Sequence, residues 1–389
     1  MVVAANSADF IVIGGGIAGV SAAYELSATG TVILLEMESA PGYHATGRSA
    51  AVLSENYGPP LWSRLVTASR PFLERPPEGF SDVPLMAPRG ALFLARDEER
   101  EALRRQGGEL LRRGAAVEIM SAADALRHCP VLKAEAFALA LYERDCVDID
   151  TSALMSGYVK GLRARGGQLH FDARAERLVR FGGRWTVTTA KGVFEAPVIV
   201  NAAGGWVGQV ACLAGLPDRN VMPFRRTAVT FDPPGGCDVR RWPMTFDLAE
   251  TFYFKPEAGR IMVSPVDMAP SEPCDAQADE LETAIAIDRI HSYTTMSVRT
   301  IKHRWGGLRT FAPDHEPVIG PDPEEPSFVW LAGQGGNGVM GAAAAARLAA
   351  GFALGRGVAP DLAALGITAD QVSPGRACVS NEGCRSAAL

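Results

Sequence analysis

The sequence predicts an α/β protein in which a Rossmann-like domain is interleaved with a second, α+β domain. Three observations carry that prediction. A strand–glycine loop–helix–strand–acid unit fills residues 9–36, a second buried strand and turn recur at 197–206, and the segments between switch from helical to alternating β patterns. Residues 9–13 (DFIVI) form an apolar, β-branched run of the kind buried on both faces of a parallel sheet. Gly14, Gly16 and Gly19 follow at G-x-G-x-x-G spacing. The first allows a tight turn, the second lets backbone approach a pyrophosphate, and the third lets helix pack on strand. A helix over 17–28 starts at this loop, so its unpaired N–H groups and positive dipole end face the same point. The next strand, 31–35, ends at Glu36, where a carboxylate can accept from a pair of ribose hydroxyls.

Bulk properties narrow the setting. The chain has 389 residues, 47% of them hydrophobic and 21% charged, which suits a globular protein of two domains with a substantial core. A net charge of −6 leaves no basic surplus to displace counterions, which argues against a nucleic-acid partner. Seven cysteines are scattered without a C-x-x-C pair, so neither a disulfide framework nor a metal site is expected. A reducing cytoplasm is the simplest compartment, and the N-terminus shows no basic-then-apolar leader. Residues 338–354 are apolar but short, rich in alanine and glycine, and carry Arg347, so a buried helix is expected rather than a membrane span.

Further elements follow in order. Residues 40–58 read as loop, 62–73 as a helix, 91–95 as a strand, and 98–113 and 122–128 as amphipathic helices. A helix over 151–165 is stopped by Gly166 and Gly167. Short alternating runs at 168–171, 175–180, 185–189 and 193–195 are punctuated by hairpin-type glycines. Residues 197–203 form another buried strand, strands return over 223–266, 279–297 is helical, and the strand 327–332 runs into GQGGNG and an alanine-rich helix. The division expected is 8–85, 148–222 and 303–355 for the nucleotide-binding domain, and 86–147 with 223–302 for the second. The tail 374–389 reads as disordered.

The glycine unit, VIVNAAGGW and the block GLRTFAPDHEPVIGPDP…FVWLAGQGGNGVM together resemble the D-amino-acid-oxidase superfamily of FAD proteins. The segment GYHATGRSAAVLSENYG resembles its bacterial D-arginine dehydrogenase branch. The resemblance implies a D-amino-acid-oxidase-like fold holding FAD, non-covalently rather than through His44. Gly14, Gly16, Ile17, Ala18 and Gly19 would hold the pyrophosphate and Glu36 the ribose. Arg48, Ser49, Ala50 and Ala51 would line the flavin, with Ala175 at the adenine. Ala203, Gly204 and Trp206 would belong to the cofactor site. Gly335, Gly336, Asn337, Gly338, Val339 and Met340 would place a helix N-terminus at the flavin pyrimidine, where negative charge develops on reduction.

On the substrate side the resemblance assigns Arg309 to the substrate carboxylate, Arg226 and Tyr253 beside it, and Tyr57 to a lid. Val52, Ala91, Gly336, Asn337 and Met340 would line the pocket. Two departures from the D-arginine branch matter: Ala91 stands where it has an acid, and Val52 where it has a histidine. A cationic side chain would find no partner there, so a smaller or more apolar one is expected. The implied reaction is oxidative deamination of a D-amino acid by hydride transfer from Cα, giving an imine that hydrolyses to a 2-oxo acid and ammonia. Electrons would then pass to a quinone or to oxygen. Oxidation of a secondary or cyclic amino acid (proline-, hydroxyproline- or sarcosine-like), oxidation of a 2-hydroxy acid, and a non-catalytic FAD subunit stay open as alternatives.

Overall fold

The computed structural model describes residues 6–235 and 237–380. Its first sheet has six strands in the order Gln168–His170, Val32–Leu35, Phe10–Ile13, Val198–Asn201, Phe328–Ala332 and Val318–Pro321. All neighbours pair in parallel except the last two. The continuous apolar runs read from sequence are buried because both faces are covered. Helices Ile17–Leu26 and Ala342–Ala353 pack into the core on one side. On the other, Trp185 and Phe194 pack among Ile11, Ile33 and Ile199. These two aromatics belong to a four-stranded sheet built on the strands Arg177–Phe181, Arg184–Thr189 and Gly192–Ala196.

Register decides where the loops emerge. Ile13 lies opposite Leu35 and Asn201, and Asn201 lies opposite Trp330. The chain therefore leaves three neighbouring strands at one level, at the carboxyl edge where open α/β sheets bind ligands. Gly14 and Gly19 make this crowding possible. A Cβ on Gly19 would lie 1.8 Å from the carbonyl oxygen of Gly14, and one on Gly14 would lie 2.4 Å from that of Ala202.

The second large sheet has nine strands. Met222–Phe231 pairs along its length with Ile301–Phe311, and beyond it lie Arg260–Ser264, Tyr253–Glu257, Met244–Asp247, Ala91–Ala95, Leu139–Glu143 and Val117–Ser121. One face forms a closed core with helix Glu280–Tyr293, and the other carries Ala91, Phe93, Met244, Phe246, Tyr253 and Met262. That second face looks toward the carboxyl edge of the first sheet.

Several expectations need correction. The run 168–171 is the parallel edge strand of the first sheet and not a hairpin arm. Ala175 precedes the strand Arg177–Phe181 and does not belong to it. The stretch 98–113 divides into a 3₁₀ turn, Asp97–Glu99, and a helix, Arg100–Arg112. Ile301–Phe311 is the longest strand, although no strand was expected there, and it joins the nine-stranded sheet although 303 was the expected start of a nucleotide-binding segment. The tail is ordered at least to Ser380. Arg376 bonds Asp314 at 2.7 Å, helix Ala377–Ser380 follows, and Val379 is fully buried in the core. Residues 381–389 lie outside the described residues. No helix among those described is long and apolar enough to cross a membrane.

Gly19→Ala should lower unfolding free energy by about 3 kcal/mol, the upper range for overpacking, because the clash is with backbone. Urea denaturation of the variant checks this.

Candidate active site

A continuous cleft opens where the glycine loop, the 202–206 turn and the 334–339 turn converge. It encloses about 1620 Å³ including its open mouth, and its walls include Gly14, Gly16, Ile17, Ala18, Glu36, Ala175, Ala203, Gly204 and Trp206. Arg48, Ser49, Gly335, Gly336, Gly338 and Val339 continue the wall toward the nine-stranded sheet, where Arg226, Tyr253 and Arg309 close it. A second, smaller chamber adjoins it. Val52, Ser54, Tyr57, Ala91, Phe93, Cys146, Phe246 and Met340 line that chamber, together with Ala50 and Ala51. Ser49, Tyr253, Arg309, Gly336 and Val339 border both spaces, so the two meet there.

Several expected residues fall elsewhere. Gly19 and Asn337 line neither space; Gly19 packs on Gly14, and Asn337 is buried with its Oδ1 lacking a partner. Ala50 and Ala51 line the small chamber rather than the cleft. Residues 335–340 form a turn and the helix begins only at Ala342, so the 335–340 amides belong to the turn that leads into it.

The cationic side of the seam follows from one ladder. Arg226 pairs with Gly307, and Arg309 is two residues beyond Gly307 on the same strand. The two arginines therefore share a face as diagonal neighbours, roughly 7–8 Å apart at Cβ. Gly307 carries no side chain between them, and the stem of Arg48 packs over it, 3.6 Å from where a Cβ would stand. Arg226 is 8% exposed, and its Nε donates to the carbonyl of Asp267 at 2.7 Å. Burial and the nearby Arg309 charge push its guanidinium down to about 10, which leaves it a cation at neutral pH. Neither arginine forms a salt bridge among the described residues, and Asp314, the nearest acid to Arg309 in sequence, is held by Arg376. The carboxylates of Asp267 and Glu250 act on Arg226 from nearby without forming an ion pair with it.

Aromatic rings form the opposite wall. Phe93 stacks on Phe246 with ring centroids 5.0 Å apart, and Phe246 lies 5.9 Å from Tyr57 and 5.5 Å from Tyr253. Burial raises the Tyr57 hydroxyl well above its ordinary value, so it stays protonated. Glu250, in a left-handed turn at φ 53°, brings its carboxylate to that hydroxyl. Sequence reasoning missed Glu250, and an acid in a loop carries no signal that could have found it.

The loop 48–53 divides the cleft from the chamber and is fastened from behind. Ala51 has φ 43°, an uncommon conformation for a residue with a Cβ. Ser49 Oγ accepts from the Ala51 N–H at 3.1 Å, and the Ala51 carbonyl accepts from Ile149 at 2.8 Å. Lys255, 3% exposed, donates Nζ to the Ala50 carbonyl at 2.7 Å and to Asp148 at 2.9 Å. Arg89 also binds Asp148, and Lys255 also binds Glu257 at 2.9 Å, so two cations meet two carboxylates. Arg48 reaches across the cleft to the carbonyls of Ala276 (3.0 Å) and Gly306 (2.8 Å).

The match to known proteins agrees with this geometry. The family model described as DAO, FAD dependent oxidoreductase, covers residues 9–351. The chain belongs to this FAD-dependent oxidoreductase family. It is 27% identical over 367 residues to a glycine oxidase of Bacillus licheniformis, spanning 90% of this chain and 94% of that one. It is 25% identical over 364 residues to the mitochondrial dimethylglycine dehydrogenase of Rattus norvegicus, which covers 86% of this chain but 41% of the longer relative. The crystal structure of an L-proline dehydrogenase from P. horikoshii shares the fold, with a TM-score of 0.79 at 20% identity over 95% of this chain and 97% of that one.

The residues present fit the family's cofactor. A Cβ on Gly16 would meet only Thr46 Oγ1, at 3.4 Å, so that glycine is not demanded by protein packing; it leaves backbone bare toward the cleft. Glu36 lies beneath the same loop, its carboxylate accepting from the backbone N–H groups of Gly15 and Glu38. His44 is a cleft residue whose Nε2 lies 2.9 Å from Glu38 Oε1 and whose ring packs 4.6 Å from Trp206.

Two outcomes follow. Gly16→Ala should fold with a melting temperature near wild type but bind FAD about tenfold or more weakly, read by flavin fluorescence on titration. Lys255→Met should cost about 2 kcal/mol of stability in urea unfolding, because it strips the Ala50 carbonyl of its donor and leaves the half-buried Asp148 with Arg89 alone.

Proposed function

We propose that the protein oxidises a small amino acid at Cα, with a secondary or cyclic amine (proline-, hydroxyproline- or sarcosine-like) preferred over a D-amino acid with a long cationic side chain. The observation that carries this reading is the unneutralised Arg226–Arg309 pair at the seam between the FAD cleft and an apolar chamber. A substrate carboxylate supplies the missing anion. Held by the planar fork of Arg309 it fixes Cα at the seam, and Arg226 and Tyr253 flank the same group. Val52, Ala91, Phe93 and Phe246 then surround the side chain or ring, and no carboxylate lines the chamber to receive a guanidinium. Relatives named for glycine, dimethylglycine and proline support a small or N-substituted amine over the D-arginine reading.

Bound FAD supplies the two-electron acceptor for the hydride that leaves Cα. This chain's residues orient the substrate, exclude water and keep Tyr57 protonated as a neutral donor. The substrate nitrogen loses its proton and Cα its hydride, leaving an imine that water hydrolyses. In this reading the six-stranded sheet carries the cofactor and the nine-stranded sheet the substrate, with Ile301–Phe311 on the substrate side.

Anaerobic mixing with a panel of amino acids tests this by bleaching of the flavin absorbance. Proline-type and N-methyl substrates should bleach it faster than D-arginine, and faster reduction by D-arginine or by 2-hydroxy acids would overturn the reading. Arg309→Met should lower kcat/KM by about 100-fold or more, the cost of about 3 kcal/mol for truncating one side of a charge pair.

A further inference from the structure

Behind the chamber wall, bonded to Ser54 but not itself among the lining residues, lies a buried carboxylate, Glu143, that the proposed reaction does not use. Along Ala91–Ala95 and Leu139–Glu143, alternate residues Ala91, Phe93, Ala95 and Leu141 join the site-facing cluster, while Leu92, Leu94 and Ala140 join the opposite core. Glu143 lies directly across the ladder from Ala91, so it faces the site as well. It is 3% exposed and has no salt bridge among the described residues. Its carboxylate accepts from Asn56 Nδ2 at 2.8 Å and from Ser54 Oγ at 2.8–2.9 Å. Burial raises its carboxyl above the ordinary value. The nearby Arg70 is bound to Glu55.

Ser54 connects this acid to the chamber. It is 5% exposed, lines the chamber and accepts from its neighbour's backbone, Asn56 N–H, at 3.2 Å. A serine hydroxyl has one hydrogen and two lone pairs. With the hydrogen given to Glu143 and one lone pair taken by Asn56, one acceptor site is left, strengthened by the carboxylate behind it. The small side chain of Ala91 leaves that side of the wall open.

We propose that Ser54 and Glu143 form a specificity element that accepts a hydrogen bond from a hydroxyl or ammonium on the substrate's side chain or ring. The proposal rests on the reading that the chamber holds an amino acid. It refines the apolar character of the pocket. The walls select a small substrate, and one buried acceptor selects a donor group on it. A ligand lacking the donor leaves that acceptor dry and unpaired.

The test uses the FAD-loaded enzyme and matched pairs in both enantiomers: 4-hydroxyproline against proline, serine against alanine, and 2,4-diaminobutyrate against 2-aminobutyrate. Dissociation constants come from the flavin absorbance shift, and reduction rates from anaerobic bleaching. Wild type should prefer the donor-bearing member of at least one pair by about tenfold or more in binding. The hydroxyl and ammonium pairs distinguish the two donor types. In Ser54→Ala and Glu143→Gln that ratio should fall close to unity, and the serine variant keeps the test open should the glutamate variant misfold. Ratios near unity in wild type, a preference that survives in both variants, or no binding of any pair would overturn the proposal. A binding preference without bleaching by any pair would leave this element standing and sink the oxidation reading alone.

Discussion

Two guanidinium groups on one face of a single antiparallel ladder, with no protein carboxylate between them, set the terms for the rest of this structure. Burial first, and the like charge of Arg309 second, depress Arg226, so both raise the cost of holding this pair. The fold tolerates them because the Met222–Phe231 and Ile301–Phe311 strands fix their spacing through a long ladder. Gly307 puts no side chain of its own between them, and both arginines line the border of the cleft, where a small anion can reach them. A ligand carboxylate is the partner proposed for this pair, as FAD is for the backbone that Gly16 leaves bare toward the cleft.

The second constraint is convergence. Parallel register brings three turns to one edge, and the antiparallel sheet presents its aromatic face opposite that edge. The loop 48–53, like the 335–340 turn, lines both spaces, and its geometry depends on groups from far away in sequence. Lys255 reaches it from 205 positions along the chain, and Ile149 from about a hundred. A buried ammonium bonded to a backbone carbonyl is a stiff fastening, since releasing it would strand a charge in a dry interior. Stiffness there matters because a small shift of Ser49–Val52 changes the cofactor and substrate sides together.

What the sequence made legible was local. The glycine unit, the buried strand of VIVNAAGGW and the 91–95 strand depend on spacing within a few residues, and the structure forms them. The strand that carries Arg309 was not legible. Its sequence, IKHRWGGLRTF, breaks the apolar–polar alternation with cations and two glycines, and its partner lies some eighty residues earlier. Arg309 was found only through the motif that contains it. Glu143, Lys255 and Glu250 were missed for a related reason, because their meaning comes from partners remote in the chain. Glu143 did leave a faint trace: an acid on the site-facing phase of LALYE, where Leu139 and Leu141 are apolar. Residues 374–380 of the tail were misread because composition suggested no core, whereas Arg376 bonds Asp314 and Val379 enters the core.

In the proposed reading, the arginine pair waits for a substrate carboxylate. Binding of an unreactive ring acid, pyrrole-2-carboxylate, and of its carboxamide to the FAD-loaded enzyme measures that claim through the flavin absorbance shift. The acid should bind about 100-fold more tightly than the amide, with the difference collapsing in Arg309→Met. Equal affinity of acid and amide in the wild-type enzyme would contradict the account.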